Sequence, residues 1–327
     1  MKTILVTGGA GFIGSNFINR HLERYDGYHI INLDKLTYAA NPEYLKDVEC
    51  HPCYSFIQGD ICDAELVGSI MEQYRPDAVV NFAAESHVDR SIGDPGIFAV
   101  TNIIGVMTLM DAARRSWRDA GYEGKIFLQV STDEVYGSIT NDQEPFTEES
   151  PLLPNSPYSA SKASADLMVR AYIKTYGFPA IITRCCNNYG PCQNPEKFIP
   201  TCILSAMENK PIPIYGDGLN IREWIYVQDH CDAIAKAMFE GVTGEIYNIG
   251  SSEEFSNIDL AKHILAIMNK PLDLVQMVND RPGHDFRYAL DSRKAMERLG
   301  FKCSRRFEER IMDTVKWYLS AYSGHSA

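Results

Sequence analysis

The sequence predicts an α/β fold: a doubly wound parallel sheet of the Rossmann type with a smaller, interleaved C-terminal substrate-binding domain. The first 185 residues alternate short β-branched runs with longer amphipathic helical patterns, which is typical of βαβ units. A glycine-rich turn joins the first strand to the first helix. After about residue 189 the pattern becomes less regular and richer in proline and glycine, which indicates a second, smaller unit.

Six strands and four helices are predicted in the first part of the chain. The strands are highly apolar, as expected when helices cover both faces of a parallel sheet, and span residues 2–7, 29–34, 54–58, 78–83, 125–131 and 180–185. The helices carry an apolar residue every three to four positions, the pattern of a helix that buries one face, and span residues 12–25, 64–74, 95–118 and 157–176.

Two domains are predicted from these patterns. Residues 1–189 form a nucleotide-binding domain, to which a later segment at about 220–250 returns, and residues 190–327 form mainly a cap that binds the substrate. The cap contains proline-rich and glycine-rich segments at 191–195 and 210–218. Because no internal repeat or long linker separates the two units, we expect the cap to pack on the sheet with a cleft between them.

The turn after the first strand has the spacing of a dinucleotide-binding loop. Gly8, Gly11 and Gly14 follow the strand at three-residue intervals and lead into a helix. Glycine lets the main chain approach a pyrophosphate closely, and the helix N-terminus offers free N–H groups. Asp34 ends the second strand 20 residues after Gly14, where its carboxylate can accept from a ribose hydroxyl and would repel a 2′-phosphate. The sequence therefore predicts NAD as the cofactor, in preference to NADP.

A tyrosine and a lysine at the start of the fourth predicted helix form a candidate reaction centre. Tyr158 and Lys162 are four residues apart and so share one helical face. An ammonium ~4 Å from a phenol, at an effective dielectric of ~20, is worth about 4 kcal/mol, which can lower the pKa of the tyrosine from ~10 towards neutrality. The spacing predicts that Lys162 makes Tyr158 a base.

Thr132, Asp133 and Glu134 follow the fifth predicted strand, at the sheet edge where folds of this kind carry their chemistry. We expect the hydroxyl and both carboxylates to face the cleft, with different surroundings separating the two carboxyl pKa values into those of an acid and a base. Taken alone, an Asp-Glu pair in a turn usually serves only to solvate the loop, and the residues leave that alternative open.

The chain resembles the extended short-chain dehydrogenase/reductase family and, within it, the enzymes that dehydrate dTDP-glucose. The likeness covers nearly the whole length, and its most specific segments are TGGAGFIGSNF, LDKLTYA, AAESHVDRSI, STDEVYG, YSASKA, NNYGP, PEKFIP, IYGDGLNIREWIYV and RPGHDFRYALD. The Thr-Asp-Glu triplet is the discriminating part. Related sugar epimerases lack the adjacent acidic pair, whereas GDP-mannose dehydratases and UDP-glucuronate decarboxylases resemble it with Ser in place of Asp.

The resemblance implies a dehydration that uses a tightly bound NAD, regenerated in each cycle, and no metal. Tyr158 would remove the proton of the glucose 4-hydroxyl while a hydride passes to NAD, with Lys162 orienting the nicotinamide ribose and Thr132 hydrogen-bonding the 4-oxygen. Glu134 would then remove the hydrogen on carbon 5, and Asp133 would protonate the departing 6-hydroxyl. Return of the hydride to carbon 6 would give dTDP-4-keto-6-deoxyglucose.

Motif position and the resemblance together assign the other site residues. Those expected at the cofactor are Gly8, Gly11, Phe12, Ile13, Gly14, Asp34, Lys35, Thr37, Asp60, Ile61, Phe82, Ala83, Ala84, Thr101, Tyr158, Lys162 and Asn188. Those expected at the nucleotide-sugar are Ser86, Thr132, Asn187, Lys197, Phe198, Pro213, Tyr215, Arg222, Asn257, Arg281 and His284. The helices at 95–118 and 157–176 resemble those that pair in the family's four-helix dimer interface, so a homodimer is expected.

Composition argues against several other classes of function. A formal net charge of −12 disfavours a nucleic-acid surface. In so acidic a chain an anionic pyrophosphate needs local cations, and Arg222 and Arg281 of the cap can supply them. We find no export signal and no apolar run near the ~20 residues that span a bilayer. The nine cysteines lack a regular framework and fit reduced thiols in the cytoplasm. Cys50 and Cys53 have redox-motif spacing, but no thioredoxin-like unit surrounds them.

Two other functions remain open at this point. A different NAD-dependent nucleotide-sugar enzyme, an epimerase or a decarboxylase, would use the same cofactor chemistry. A protein that senses NAD(H) would keep the fold without turnover, although the complete catalytic set argues against it. The sequence does not determine whether the product leads to rhamnose or to another deoxysugar, nor how strictly thymidine is preferred.

Overall fold

The structure is a computed structural model that describes residues 1–323. The strands of this part of the chain are β1 (Lys2–Thr7), β2 (Tyr28–Asp34), β3 (Tyr54–Gln58), β4 (Ala78–Asn81), β5 (Ile126–Thr132), β6 (Ala180–Cys185), β7 (Asn187–Tyr189), β8 (Ile212–Tyr215), β9 (Ile221–Tyr226), β10 (Ile246–Ile249), β11 (Glu254–Ser256) and β12 (Val275–Val278). The α-helices are α1 (Phe12–Arg24), α2 (Ala64–Tyr74), α3 (Val88–Gly93), α4 (Pro95–Ala99), α5 (Val106–Trp117), α6 (Pro157–Tyr176), α7 (Phe198–Met207), α8 (Val227–Glu240), α9 (Asn257–Ile267), α10 (Arg293–Leu299) and α11 (Phe307–Tyr322).

Seven strands form one parallel sheet in the order β10-β6-β5-β4-β1-β2-β3. The predicted doubly wound parallel sheet is therefore confirmed. The direction of winding reverses at β1, which lies between β2 and β4, and folds of this kind bind ligands at the carboxyl ends of the strands beside such a point. Strands β1, β3 and β6 and helices α2 and α6 have their predicted bounds. Strand β4 ends two residues earlier than predicted, at Asn81, where the chain turns into the cleft.

Helices cover both faces of this sheet, which explains the apolar strands. Buried side chains of α1, α8 and α10 pack on one face, among them Phe17, Ile234 and Leu299. Buried side chains of α2, α5 and α6 pack on the other. Alternate residues of β1 enter opposite layers, since Val6 belongs to the first core and Leu5 to the second.

The segment Pro95–Trp117 is a continuous helical stretch in which a π-helix, Val100–Gly105, joins α4 to α5. It is 23 residues long and apolar enough to cross a membrane by length and composition, so the expectation that no such segment exists was wrong. Buried side chains of α5, among them Leu109, Met110 and Trp117, pack in the core beneath the sheet. Part of the apolar character of this stretch is therefore explained by a face that packs in the protein core.

A smaller layer at the carboxyl-terminal edge of the strands consists of β7, β8, β9, β11 and β12 with α7, α9 and α11. Strands β7, β9 and β11 form a three-stranded sheet, and β8 pairs with β12. Helices α7, α9 and α11 enclose a separate apolar core with them. Between β9 and β11 the chain returns to the large sheet, because α8 packs on it and β10 pairs with β6. The smaller unit is thus interleaved with the larger one along the sequence.

Candidate active site

The glycine-rich turn leaves no room for larger side chains. A Cβ on Gly8 would lie 2.6 Å from the nitrogen of Ala83, and one on Gly14 would lie 2.3 Å from the carbonyl oxygen of Gly8. Gly11 is the N-cap of α1 and supplies no side-chain cap, so the first amides of the helix point towards the cleft without a side-chain partner from that residue. The arrangement suits an anion bound directly by main-chain N–H groups.

Asp34 stands beside this turn at the carboxyl end of β2. Its two carboxylate oxygens accept hydrogen bonds from the amides of Ala10 and Leu36, both at 2.8 Å. Burial raises the pKa of Asp34, and these two hydrogen bonds oppose the rise. Lys35, which lines the same cavity, forms an ion pair with Asp60 at 2.7 Å. The lysine charge is thus already partnered at the edge of the site.

One cavity of about 520 Å³ runs from the glycine turn to the smaller unit. Every residue predicted at the cofactor and every residue predicted at the nucleotide-sugar contributes to its wall. Thr132, Glu134, Tyr158 and Lys162 also line it, whereas Asp133 does not belong to the wall formed by the described residues. The structure therefore gathers the predicted site around a single space, with one exception.

Helix α6 begins with a sequence that fixes its first turn. Ser156 and Ser159 form a reciprocal capping box and Pro157 occupies the first turn, so the helix starts at a defined residue. This start carries the side chain of Tyr158 to the cavity wall and buries Lys162 one turn later. The Lys162 Nζ donates to the carbonyl oxygen of Val130 on β5 at 2.7 Å.

Burial acts against the effect that the spacing predicts for the lysine on the tyrosine. Burial, followed by the nearby carboxylate of Glu134, raises the pKa of Tyr158 well above its ordinary value, and a hydrogen bond with Thr132 opposes the rise. Burial likewise lowers the pKa of Lys162, against the charge of Asp166. The reason is that the low-polarity wall penalises both charged forms, while the ammonium is directed at a strand carbonyl.

The acidic pair lies on a short 3-10 helix, Asp133–Tyr136, that Thr132 caps by accepting the amide of Glu134 at 3.3 Å. Glu134 reaches the cavity, but Asp133 is 1% exposed and lies beneath the wall, where its Oδ1 accepts from the Thr132 hydroxyl at 3.1 Å. The expectation that both carboxylates face the cleft was wrong. Successive side chains of a 3-10 helix point about 120° apart, so neighbours cannot share one side.

The two carboxyls have different electrostatic surroundings. Burial, then the charges of Glu134 and Glu223, raises the pKa of Asp133 well above its ordinary value. Burial also raises the pKa of Glu134, but Arg222, Arg281 and Lys197 are cations that oppose the rise. For Asp133 the opposing effects are the hydrogen bond from Thr132 and the charge of Arg222. The two carboxyls thus have different neighbours, as expected of an acid beside a base.

Cationic side chains face the acids from the smaller unit. The guanidinium of Arg222 donates to the carbonyl oxygens of Ile221, Phe286 and Asp285, which hold it rigidly, and it lies 4.3 Å from the ring centroid of Tyr288. Lys197 donates to the carbonyl oxygen of Ser86 at 2.9 Å, across the cleft. These contacts hold two cations at the cavity of a protein whose net charge is −12.

Several wall residues were missed by sequence reasoning. They include His87, Asp89, Gln193, Glu196, Trp224 and Tyr288. Asp89 pairs with Arg281 at 3.2 Å, and Tyr288 lies under Arg222, so both are close to predicted substrate residues. The sequence did point to these two residues, since Asp89 lies in the segment AAESHVDRSI and Tyr288 in RPGHDFRYALD, both of which carried the family resemblance.

Comparison with known proteins gives consistent matches. A family model described as GDP-mannose 4,6 dehydratase matches residues 5–314. The dTDP-glucose 4,6-dehydratase of Neisseria meningitidis serogroup B is 50% identical over 98% of this chain and 94% of its own length. DesIV, a dTDP-glucose 4,6-dehydratase from Streptomyces venezuelae solved with NAD bound, superposes with a TM-score of 0.92 at 45% identity and 99% coverage of both chains. A UDP-glucose 4-epimerase from Thermotoga maritima reaches a TM-score of 0.88 at 30% identity, covering 98% and 99% of the chains.

Proposed function

The chain belongs to the GDP-mannose 4,6 dehydratase family, and we propose that it is an NAD-dependent hydro-lyase that converts dTDP-glucose into dTDP-4-keto-6-deoxyglucose. One observation carries this proposal: Tyr158 and Lys162 of α6 line the same cavity as Thr132 and Glu134, with Asp133 directly beneath that wall. The first pair suits oxidation of an alcohol and the second suits elimination of water. Relatives that carry the dehydratase name, at up to 50% identity over nearly the full chain, support the same activity.

The glycine turn and the end of β2 fit a dinucleotide. The backbone at Gly8 and Gly14 approaches its neighbours too closely for any side chain, which leaves the surface open to a pyrophosphate. Asp34 lines the same cavity with a carboxylate suited to the hydroxyls of a ribose. The remaining residues proposed for NAD are those named above for the cofactor. NAD, when bound, supplies a hydride acceptor for carbon 4 and a hydride donor for carbon 6, and its positive charge lowers the pKa of a neighbouring phenol.

Each proton transfer of this reaction is assigned to a different residue of the chain. Tyr158 takes the proton of the glucose 4-hydroxyl, and Thr132 donates a hydrogen bond to the oxygen that becomes a ketone. The ketone acidifies carbon 5, where Glu134 removes the proton. Asp133, which contacts Thr132 and whose pKa burial raises, supplies the proton for the departing 6-hydroxyl. At the end of the cycle the proton held by Glu134 returns to carbon 5.

The smaller unit is proposed to bind the nucleotide-sugar. Arg222 and Arg281 bind the pyrophosphate, because planar guanidinium groups match its oxygens and the chain is otherwise acidic. The residues proposed to contact the rest of the substrate are Ser86, Asn187, Lys197, Phe198, Pro213, Tyr215, Asn257 and His284. This division corresponds to residues 1–189 with the later return as the NAD-binding domain, and 190–327 as mainly the nucleotide-sugar cap.

We also propose that the protein is a homodimer. Ile97, Val100 and Ile104 are 37%, 47% and 50% exposed and follow one another at near-helical spacing, and Leu167 on α6 is 54% exposed. Such apolar residues on two adjacent helices suit burial in a four-helix interface. We expect Ile104→Glu to elute as a monomer in size-exclusion chromatography, while Leu272→Glu, an exposed apolar position of the smaller unit, keeps the parent size. A monomeric parent protein would refute the dimer.

We place the activity in the cytoplasm, away from membranes. All nine cysteines are free, which suits a reducing compartment. The apolar face of the stretch Pro95–Trp117 is accounted for by the core and by the proposed dimer. Fractionation of expressing cells tests this: the protein is expected in the supernatant without detergent, and recovery with the membrane pellet would contradict the assignment.

An epimerase is the competing enzyme, and the acidic pair argues against it. A 4-epimerase needs the oxidation pair but no base for carbon 5 and no acid for carbon 6. Purified protein incubated with dTDP-glucose in deuterated water is expected to give a 4-keto-6-deoxy product with deuterium at carbon 5. Unlabelled 4-epimer would support the epimerase, and the absence of any product from cofactor-loaded protein would refute both enzymes. Mass spectrometry of small molecules released on denaturation tests the cofactor separately.

A further inference from the structure

Arg184 is a buried guanidinium in β6, between the two sets of proposed catalytic residues. In the sheet register its Cα neighbours are Ser131 on β5 and Asn248 on β10. Ser131 directly precedes the Thr132–Asp133–Glu134 turn along the chain. The position places a fixed positive charge inside the sheet layer, one strand away from the turn.

The side chain of Arg184 connects two separate elements. Its Nε donates to the Oδ2 of Asp166 on α6 at 2.8 Å, and its Nη1 donates to the hydroxyl of Tyr136 at 2.8 Å. Asp166 follows Lys162 by one helical turn, and Tyr136 is the last residue of the 3-10 helix that contains the acidic pair. One guanidinium therefore touches both the helix of the oxidation pair and the helix of the elimination pair.

Tyr136, at one end of this connection, is itself held in place by further contacts. The Tyr136 hydroxyl donates to the Oδ1 of Asn248 at 2.7 Å, and the Nδ2 of Asn248 donates to the carbonyl oxygen of Phe146 at 2.9 Å. The Tyr136 ring stacks on the Phe146 ring with centroids 4.9 Å apart. The ring is thus fixed by packing, and the hydroxyl remains as the polar link between Arg184 and β10.

We propose that Asp166, Arg184 and Tyr136 form a positioning chain, which fixes the elimination pair relative to the oxidation pair so that one sugar pose serves both steps. The inference rests on the proposed function and adds three residues that lie outside the cavity wall formed by the described residues. None of the three touches the reacting atoms. Their effect is on geometry, to which such reactions are sensitive: a displacement of ~1 Å can cost ~10²-fold in rate.

Core packing alone does not require this chain. Burying an ion pair carries a desolvation penalty, and apolar residues of similar volume often fold as well or better. Asp166 even leaves its Oδ1 without a hydrogen-bond partner among the described residues, which a purely stabilising pair would avoid. The polar groups instead give what apolar contacts lack, a directional connection of defined length between α6, β6 and the 3-10 helix.

The test compares two tyrosine-to-phenylalanine variants. Tyr136→Phe keeps the stacked ring and removes the hydroxyl link. Tyr247→Phe is the matched control, a buried tyrosine of β10 whose hydroxyl accepts from the amide of Val242 at 3.0 Å. In rapid mixing with dTDP-glucose, Tyr136→Phe is expected to reduce its cofactor at close to the parent rate. Its elimination should be slowed by ~10²-fold, so that the 4-keto glucose intermediate accumulates in quenched samples, whereas Tyr247→Phe should keep the parent ratio of the two steps.

A second variant keeps the proposal testable even if Tyr136→Phe fails to fold. Arg184→Lys keeps a cation for Asp166 but cannot reach Asp166 and Tyr136 with two planar donors. It should show the same delayed elimination, and its combination with Tyr136→Phe should add little, because both remove one link. Parent turnover with equal step ratios in Tyr136→Phe and Tyr247→Phe, or additive losses in the double variant, would overturn the positioning chain. A parent protein that leaves dTDP-glucose unoxidised would instead overturn the proposed function.

Discussion

The Nζ of Lys162 lies 2.7 Å from the carbonyl oxygen of Val130, to which it donates a hydrogen bond. The contact ties α6 to β5 two residues before Thr132, so the two halves of the proposed site share one anchor. Lys162 therefore both positions α6 against β5 and supplies a positive charge, and substitutions can separate these two effects.

Lys162→Met is expected to lower the rate of cofactor reduction by dTDP-glucose by ~10²-fold or more, because it removes both the buried charge and the bond to Val130. Lys162→Arg should recover part of the rate, since it keeps the charge on a longer and planar group. Single-turnover absorbance of the reduced cofactor measures the step. A methionine variant with parent kinetics would show that the ammonium has no part in the oxidation.

The two chemical steps should respond to different residues. Tyr158→Phe is expected to block cofactor reduction, because it removes the phenol proposed as the base for the 4-hydroxyl. Glu134→Gln should still permit reduction and should stall before loss of water, since an amide cannot accept the proton from carbon 5. Rapid quenching with mass detection of the sugar distinguishes the two states. Equal losses at the first step in both variants would contradict the separation of roles.

Arg222→Lys is expected to raise the KM for dTDP-glucose by about 10-fold to 100-fold with a smaller change in kcat. Three backbone carbonyls hold the planar guanidinium in one orientation, and an ammonium cannot occupy the same set of bonds or present two parallel donors to a phosphate. Steady-state kinetics checks the split. If kcat fell and KM did not change, Arg222 would act on the reaction itself and not on binding.

Gly14→Ala is expected to impair both folding and cofactor retention. The added Cβ would lie 2.3 Å from the oxygen of Gly8 and 2.7 Å from the Cα of Gly9, which are backbone atoms that cannot move away cheaply, so a loss of ~1–3 kcal/mol in the free energy of unfolding is expected. Gly68→Ala in α2 is the control, because its Cβ meets no described atom within 4 Å and alanine favours a helix by ~1 kcal/mol. Thermal unfolding and cofactor content per chain measure the two effects.

His21 should contribute to unfolding in acid. Both ring nitrogens are buried with no partner in residues 1–323, and burial lowers the pKa of His21 from 6.5 to about 4. Because the folded pKa is below the unfolded one, the unfolded chain binds the proton first, and stability is lost as the pH falls from about 6.5 to about 4. His21→Phe, which suits the surrounding aromatic rings, should make the free energy of unfolding less dependent on pH in this window. Urea unfolding at several pH values tests the difference, and parallel curves would contradict it.

Local patterns predicted the elements that depend on near neighbours. The bounds of β1, β3, α2 and α6 follow from apolar spacing and turn residues, and the glycine loop is recognisable because its three glycines are close in sequence. The residues predicted at the cofactor and at the nucleotide-sugar also line one cavity, and strand ends that converge on one edge of a parallel sheet contribute many of them. These features need little information from distant parts of the chain.

Other features depend on contacts that sequence spacing does not specify. The return of the chain to the large sheet through β10, which pairs with β6, brings Asn248 beside Arg184 across more than sixty positions of sequence. The direction of Asp133, away from the cleft, follows from the single 3-10 turn that Thr132 caps. The raised pKa of Tyr158 follows from burial and from Glu134, which the pairing of Tyr158 with Lys162 in sequence could not reveal.

By itself, the sequence determined the fold class and the glycine-rich turn and supplied the candidates for the reacting groups, because each depends on short-range spacing and residue chemistry. Only the tertiary structure decided which carboxyl reaches the cavity, where the Lys162 ammonium is directed, and how Arg184 joins α6 to the 3-10 helix Asp133–Tyr136. The physical reason is that burial and long-range hydrogen bonding set charge states and orientations, and both depend on which distant segments the fold packs together.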